Sequence, residues 1–186
     1  MNVKDTDLIG AESKGSEIMN YVNKGLRDVL IFPELDNASL IQDIREEYDE
    51  LADIVPPHIT LAFPFDSDIT NEELDLKLKK ILSGYKEFDI TLSGISYHYD
   101  ERVGVYYMYL DVTKGYDTIY EISKKIYREV LNMDVPEKYI PHITLGCVEE
   151  INDIKLDHVF NTAVKNIVVE DIGENEESNI ILRYSI

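Results

Sequence analysis

The chain contains PPHITLAFPF at residues 56–65, and five of these letters, PHITL, return at residues 141–145. The second copy stands within KYIPHITLGCV. A pentapeptide that occurs twice in 186 residues indicates a duplicated structural unit. In each copy a proline precedes the histidine and a short apolar run follows it, which favours a β-strand that begins at the motif.

Each copy has the alternation of a strand with one polar and one apolar face. Side chains two positions apart point to the same side of a strand. His58 and Thr60 should therefore share one face, and His142 and Thr144 should do the same in the second copy. The isoleucine and leucine of each copy then point the other way, into a core. This pattern predicts a polar pair against a cleft with an apolar pair beneath it.

Two imidazoles on opposite sides of one phosphodiester suit its cleavage. If two similar lobes face each other, the polar pairs of both copies would meet across the groove between them. Imidazole can accept and donate a proton near neutral pH. One histidine could remove a proton from the attacking water or hydroxyl while the other protonates the departing alcohol. The threonine hydroxyls could hold the phosphoryl oxygens, and this chemistry requires no metal or other cofactor.

Two other interpretations of the histidines stay open at this stage. Each histidine could serve only the structure of its strand, although the matched contexts of the two copies argue against this. Alternatively, the two histidines could help to bind zinc. Zinc usually takes three or four protein ligands, so a carboxylate would have to join them.

Strand and helix patterns alternate along the chain. Strands are predicted at 28–35, 58–63, 88–99, 105–112, across the second motif, at about 163–170 and at 179–185. Helices are predicted from Ser39 to Pro56, from Thr70 to Gly84, at 116–131 and near 150–160. Capping boxes formed by Ser39 with Gln42 and by Thr70 with Glu73 mark the first two helix starts. The order indicates an α+β fold of two sheet-and-helix lobes.

Charge and composition limit the possible partners. The chain has 18 basic and 37 acidic residues and a net charge of −19, which repels polyanions. Binding a long nucleic acid would need a cluster of lysine and arginine, so a small nucleotide or an RNA end is the expected partner. Membrane helices need roughly 18–20 continuous apolar residues, and the sequence has no such run. The single cysteine is typical of a reducing cytoplasm. The oligomeric state is left open.

At its two motifs the sequence resembles the 2H phosphoesterase superfamily, whose signature is a pair of His-x-Thr/Ser-x motifs. The motifs stand here as HITL at 58–61 and at 142–145. Within that superfamily the chain resembles the bacterial 2′-5′ RNA ligase-like proteins and cyclic phosphodiesterases. The similarity covers residues 28–186 as one bilobal domain, and residues 1–27 form an N-terminal extension outside it.

The resemblance implies a fold with two pseudo-symmetric lobes around a central cleft. It also implies activity on 2′,3′-cyclic phosphates, 2′-5′ linkages or similar small phosphodiesters. His58 and His142 would then be the acid and base, in an order that depends on how the substrate binds. Thr60 and Thr144 would hold the phosphate. A non-catalytic module that binds a phosphorylated nucleotide or RNA end in the same cleft is the alternative.

Two further residues are candidates for substrate binding. Arg45 lies on the helix before the first motif, and its guanidinium could make a bidentate contact with phosphate, although a solvated helix position is the other interpretation. Tyr139 comes just before the second motif and could edge the cleft.

The remaining chemically active side chains are assigned structural roles. His98 and His158 lack the threonine partner and are expected to be ordinary surface or loop histidines. Cys147 comes five residues after His142, and this odd spacing places it on the opposite face of a regular strand. The tyrosines that crowd residues 97–109 could stack on bases, but they also simply favour strands.

Overall fold

The computed structural model describes residues 26–186. In that range the strands are β1 (Arg27–Ile31), β2 (Ile59–Phe65), β3 (Phe88–Asp100), β4 (Val105–Lys114), β5 (His142–Val148), β6 (Phe160–Val164), β7 (Asn166–Ile172) and β8 (Ser178–Ser185). The helices are α1 (Ser39–Tyr48), α2 (Asn71–Leu82) and α3 (Tyr116–Glu129). None of these helices is long and apolar enough to cross a membrane. The expected N-terminal extension lies outside the described residues, apart from its last two positions.

The eight described strands form one antiparallel sheet in the order β6-β3-β4-β5-β2-β1-β7-β8. Lys165 alone links β6, at one edge of the sheet, to β7, beside the other edge. The sheet must therefore curl until its two edges come close. The Thr162 hydroxyl donates to the Glu34 carbonyl (2.6 Å), and Lys165 forms an ion pair with the Glu34 carboxylate, so both contacts join β6 to the chain after β1.

The two motif strands, β2 and β5, are neighbours at the middle of the sheet. Each follows a helix, and that helix follows the strand that flanks it in the sheet: β1-α1-β2 and β4-α3-β5. The repeat in the letters is thus also a repeat in the order of elements. The sheet runs continuously through both copies, and a division into two lobes stays a prediction.

Each helix packs against the motif strand of the other copy. Helix α1 packs on β5, and α3 packs on β2. The Ser123 hydroxyl on α3 donates to the Leu61 carbonyl (2.6 Å), and the Tyr127 hydroxyl accepts from the Phe63 backbone N–H (3.1 Å). Ile59, Leu61, Ile143 and Leu145 are all fully buried, as the alternation predicts. Burying a side chain of this size stabilises a fold by about 1.5–3 kcal/mol.

The close approach of α1 to β5 requires a glycine. A Cβ on Gly146 would lie 2.1 Å from the carbonyl oxygen of Tyr48, at the end of α1. The φ angle of Gly146 is +125°, a backbone conformation that residues with a side chain rarely adopt. Gly146 therefore lets the end of α1 lie directly against the second motif strand.

Helix α1 is shorter than predicted and begins differently. It ends at Tyr48 rather than near Pro56, because Asp49 adopts an extended conformation (φ −123°, ψ 111°). The Asp49 carboxylate accepts from the Leu51 N–H (3.0 Å), which fixes a turn where the sequence predicts helix. The predicted capping box of Ser39 and Gln42 is wrong, since the N-cap is Ala38 without a side-chain hydrogen bond. The corresponding box at α2 is confirmed.

Two predictions for the C-terminal part are also wrong. Residues 151–159 have no regular secondary structure where a short helix was expected. The Tyr97 hydroxyl donates to the Asn152 carbonyl (2.8 Å) in this segment, which follows the sheet surface. The single strand expected at about 163–170 is two strands that pair with opposite ends of the sheet, since β6 pairs with β3 and β7 pairs with β1.

Candidate active site

The four motif side chains lie together on adjacent strands. Ile59 pairs with Ile143, so the antiparallel register sets His58 across from Thr144 and Thr60 across from His142. All four are partly buried and point to the face opposite the buried isoleucines and leucines. The expectation that the two pairs face each other across a groove is corrected, because they stand side by side in one sheet.

The backbone fixes both imidazoles in the same way. The Nδ1 of His58 is 2.9 Å from the Pro56 carbonyl, and the Nδ1 of His142 is 2.5 Å from the Ile140 carbonyl. A carbonyl oxygen only accepts, so each Nδ1 carries a proton and donates it. Each neutral ring therefore has its lone pair on Nε2, away from the backbone. The Nε2 of His142 is 3.2 Å from the Thr144 hydroxyl.

Burial favours the neutral form of both histidines. It lowers the pKa of His58, although the Pro56 carbonyl acts in the opposite direction. It lowers the pKa of His142 to about 4, and the Ile140 carbonyl again opposes the shift. Charge on His58 or His98 lowers the His142 pKa further, so the two motif imidazoles lie within electrostatic reach of each other. A bound anion would favour the protonated forms.

A stack of three rings supports His142. The ring centroids of Tyr109 and His142 are 3.4 Å apart and nearly parallel (16°). His98 stacks on Tyr109 as well, with centroids 4.6 Å apart. The Ser96 hydroxyl lies 2.9 Å from the His98 Nε2 and donates to the Asp111 carboxylate (2.7 Å). His98 is thus part of the site's surroundings, and its expected role as an ordinary surface histidine is corrected.

Two cavities border three of the four motif side chains, and Thr60 lines neither of them. One, the His58 cavity, has a volume of about 550 Å³ and is lined by His58, Thr144 and Arg45. The other, the His142 cavity, has a volume of about 1100 Å³ and is lined by His142, Thr144 and several aromatic rings. Thr144 and Tyr107 border both cavities. The two histidines therefore open onto different cavities that share a wall at Thr144.

Arg45 is buried rather than solvated. Only 1% of its surface is exposed, and its Nε donates to the Asp49 carboxylate (2.8 Å). Its Nη2 donates to the Leu51 carbonyl (3.3 Å), while its Nη1 has no hydrogen-bond partner among the described residues. A buried donor without a partner costs free energy, and an anion in the His58 cavity is one group that could accept from it.

Tyr139 is buried and holds the first motif strand. It is 5% exposed, and its hydroxyl donates to the carbonyl of Thr60 (2.7 Å). Its ring packs edge-on against Phe63 and borders the His142 cavity. The expected role of Tyr139 in substrate binding stays a prediction, and its hydrogen bond joins the segment before the second motif to the first motif.

Cys147 lies on the cavity side of β5, contrary to the spacing argument. Tyr109 pairs with Thr144, but Met108 pairs with Gly146, so Leu145 is an extra residue in β5. This β-bulge shifts the alternation by one position. Cys147 therefore lines the His58 cavity beside Thr144. In residues 26–186 no three His, Cys, Asp or Glu side chains are grouped as metal ligands would be.

Comparisons with known proteins agree with this architecture. Residues 32–161 match the family model of the 2′-5′ RNA ligase superfamily. A protein of Geobacillus sp. strain WCH70 named "Putative phosphoesterase" is 24% identical over 119 residues, which are 63% of this chain and 66% of that protein, just under two thirds of its length. A protein of the same name from Bacillus licheniformis is 26% identical over 137 residues, 72% of this chain and 76% of the relative.

Solved structures share the fold at low identity. E. coli LigT in complex with 3′-AMP superposes with a TM-score of 0.55 at 14% identity, covering 88% of this chain and 99% of LigT. A protein of Thermus thermophilus gives a TM-score of 0.60 at 16% identity, covering 86% of this chain and 97% of the other. The family match spans most of the chain and contains both motifs. The chain therefore belongs to the 2′-5′ RNA ligase superfamily, which confirms the resemblance to the 2H phosphoesterases.

Proposed function

We propose that this protein is a metal-independent phosphoesterase that cleaves small or RNA-terminal phosphodiesters, with 2′,3′-cyclic phosphates and 2′-5′ linkages as candidate substrates. His58 and His142 act as its general acid and base. The proposal rests on one observation: both histidine rings have the same hydrogen bond. Each Nδ1 donates to the backbone carbonyl two residues before it. Both Nε2 atoms therefore face away from the backbone, and a substrate could replace the Thr144 hydroxyl as the partner of the His142 Nε2. A cytoplasmic location, expected from the single cysteine, is part of the same proposal.

The proposed reaction moves two protons. One imidazole accepts a proton from the attacking water as its oxygen bonds to phosphorus. The other imidazole donates a proton to the alcohol oxygen as the bond between phosphorus and that oxygen breaks. The orientation of the substrate decides which histidine is acid and which is base. The Thr144 hydroxyl would turn from the His142 Nε2 to donate to a non-bridging oxygen, whose negative charge increases in the transition state, and the Thr60 hydroxyl is the second candidate donor.

The histidine that acts as the acid must be protonated, and a bound substrate can favour its protonation. Burial keeps the pKa of both rings low in the free protein, so both are neutral near pH 7. The negative charge of a phosphodiester next to an imidazole raises its pKa. Substrate binding would thus help to protonate one histidine while the other stays neutral. The unpaired Nη1 of Arg45 is a candidate donor to the same phosphate.

Small nucleotides fit this proposal better than long polyanions. Solved structures of E. coli LigT contain 3′-AMP, NADP+ or ATP, which are small nucleotides. The net charge of −19 argues against a long nucleic acid. The aromatic lining of the His142 cavity provides surfaces on which a base could stack.

The test is hydrolysis of adenosine 2′,3′-cyclic phosphate and of a 2′-5′-linked diadenylate, with and without EDTA. His58→Gln and His142→Gln should each lower the rate by about 10²–10⁴-fold, and EDTA should have no effect. His158→Gln is the matched control, because His158 packs on Phe160 and lines neither cavity. Full activity in either motif variant would reject the mechanism. Tight binding without turnover of either compound would favour the non-catalytic binding module instead.

A further inference from the structure

We infer that the diester cleaved at this site carries an organic group on each side of phosphorus, and that the group in the His58 cavity is uncharged or positively charged. This inference rests on the proposed function and narrows its substrate class. It predicts that an open diester, in which phosphate joins a nucleoside to a second and non-anionic alcohol, is a better substrate than a cyclic phosphate.

Space is open on both sides of Thr144. Thr144 borders the His58 cavity and the His142 cavity, so a phosphate held at its hydroxyl has open volume in two directions. A cyclic phosphate needs one cavity for its nucleoside and room for one water, which occupies about 30 Å³. The smaller of the two cavities has a volume of about 550 Å³. That volume suits an alcohol of several heavy atoms.

The nucleoside is assigned to the His142 cavity, whose lining is rich in aromatic rings, among them Tyr97, Tyr99 and Tyr116. The charged residues of that lining have both signs: Asp100, Glu101, Arg102, Glu137 and Lys138. Aromatic side chains stack on bases of any identity. Comparable rings are fewer in the His58 cavity, where Tyr48 and Tyr107 are the aromatic lining residues.

The opening of the His58 cavity is acidic. Four glutamates line it: Glu46, Glu47, Glu50 and Glu149. All four are at least partly exposed, so they stand at the opening rather than in the floor. Arg45 is the cation among the lining residues, and Asp49 already pairs with it. An alcohol that carries a second phosphate or a carboxylate would be repelled at this opening, whereas an ammonium group would be attracted.

The floor of the same cavity shows where the phosphate would lie. Arg45 is 1% exposed, it lines this cavity together with His58 and Thr144, and its Nη1 has no hydrogen-bond partner among the described residues. A phosphate that accepts from this donor would leave the rest of the cavity, which Tyr48, Tyr107 and the four glutamates line, to the second alcohol. Tyrosine faces attract cations as well, which favours an amino or quaternary ammonium alcohol.

The chemical step is the proposed one with a larger leaving group. Water bonds to phosphorus, and its proton passes to one histidine. The bond between phosphorus and the oxygen of the second alcohol breaks, and the other histidine protonates that oxygen. The products are a nucleoside monophosphate and the free alcohol, and the two histidines return to their starting forms by exchanging protons with solvent.

The test compares three esters of 2′-deoxyadenosine 3′-phosphate, made with choline, methanol or 3-hydroxypropanoate, with adenosine 2′,3′-cyclic phosphate as reference. We expect kcat/KM to be highest for the choline ester, lower for the methyl ester and lowest for the anionic ester. The choline and anionic esters should differ roughly tenfold at low salt. The variant Glu47→Gln/Glu50→Gln should reduce the ratio of kcat/KM between the choline ester and the anionic ester. The control Glu72→Gln/Glu87→Gln removes two exposed charges that line neither cavity and should leave the ratio unchanged.

The outcomes separate the inference from the proposed function. Hydrolysis of the cyclic phosphate without hydrolysis of any ester would overturn the inference and leave the proposed function standing. Equal rates for the three esters, or a faster anionic ester, would do the same. Failure of all four compounds, the cyclic phosphate included, would count against the proposed function itself.

Discussion

Ile59 on β2 pairs directly with Ile143 on β5. These isoleucines occupy the same position in the two PHITL copies. The local two-fold axis of the antiparallel strand pair therefore passes between equivalent residues. Each histidine thereby comes to lie across from the threonine of the other copy. The duplicated phrase produces one site because its two copies are neighbours in a sheet.

The stack of Tyr109 on His142 should matter for activity. Tyr109→Leu removes a ring whose centroid is 3.4 Å from that of the histidine, and such a contact is worth about 0.5–1.5 kcal/mol. We expect kcat for cyclic phosphate hydrolysis to fall roughly twofold to tenfold. The pH–rate profile should also move to higher pH, because opening the imidazole to water weakens the burial that lowers its pKa. Tyr109→Phe keeps the ring, and an equal loss in that variant would contradict the stacking argument.

The contact between α1 and β5 should be intolerant of any side chain. Gly146→Ala would place a Cβ 2.1 Å from the Tyr48 carbonyl oxygen, so we expect a loss of several kcal/mol in the free energy of unfolding measured with urea. Gly94→Ala is the control, since Gly94 also has positive φ (+79°) but no atom within 4 Å of the added carbon. That variant should lose only about 1–2 kcal/mol from backbone strain. Equal losses in the two variants would show that the close approach is not tight.

The pKa of His142 can be read directly by NMR from its ring Cε1–H resonance. In the free protein the resonance should titrate near pH 4, and inorganic phosphate should move the midpoint upward. Since the unfolded chain binds this proton below about pH 6.5, the contribution of His142 to the folding stability should fall as the pH drops from 6.5 towards 4. A midpoint near 6.5, unchanged by phosphate, would show that the ring is not buried as described.

A second pair of buried titratable groups lies away from the motifs. Asp28 on β1 is directly opposite Glu170 on β7, and both are almost fully buried. Burial, and then the charge of Glu170, raises the pKa of Asp28 to about 8, so Asp28 is protonated in the folded protein at pH 7. The unfolded chain releases that proton above about pH 4. The contribution of Asp28 to the folding stability should therefore fall as the pH rises from 4 to 8, by up to roughly 1.4 kcal/mol per pH unit, which opposes the contribution of His142 below pH 6.5.

Asp28→Asn should remove this contribution, because an amide does not titrate, so the difference in stability between the variant and the wild type should change with pH. Urea unfolding at pH 5, 6, 7 and 8 measures it, with Asp43→Asn, at an exposed position of α1, as the control. The same slope in wild type and Asp28→Asn would refute the assignment.

The sequence was sufficient to predict what depends on local pattern. The alternation of His58 and Thr60 with buried Ile59 and Leu61 is borne out by their exposure, and the capping box of Thr70 and Glu73 is present. These features depend only on strand period and on residues three positions apart. The family resemblance at the two motifs is confirmed as well.

Features that depend on tertiary contacts could not be predicted. The bulge at Leu145 arises where β5 pairs with β4, and it turns Cys147 towards the His58 cavity. From the sequence Arg45 could be a solvated residue of its helix, and its burial depends on contacts that the helical pattern does not show, among them its hydrogen bond to Asp49. His98 joins the site because the β3–β4 hairpin register sets it beside Tyr109, and nothing in the sequence fixes that register.

The central claim is that His58 and His142 carry opposite proton roles in one reaction. The most direct measurement compares two diesters of one nucleoside phosphate, a methyl ester and a 4-nitrophenyl ester, in His58→Gln and His142→Gln. The 4-nitrophenyl group departs without being protonated, so the variant that lacks the acid should recover most of its rate on that ester. The variant that lacks the base should stay impaired on both esters. Recovery in both variants, or in neither, would contradict the division of roles between the two histidines.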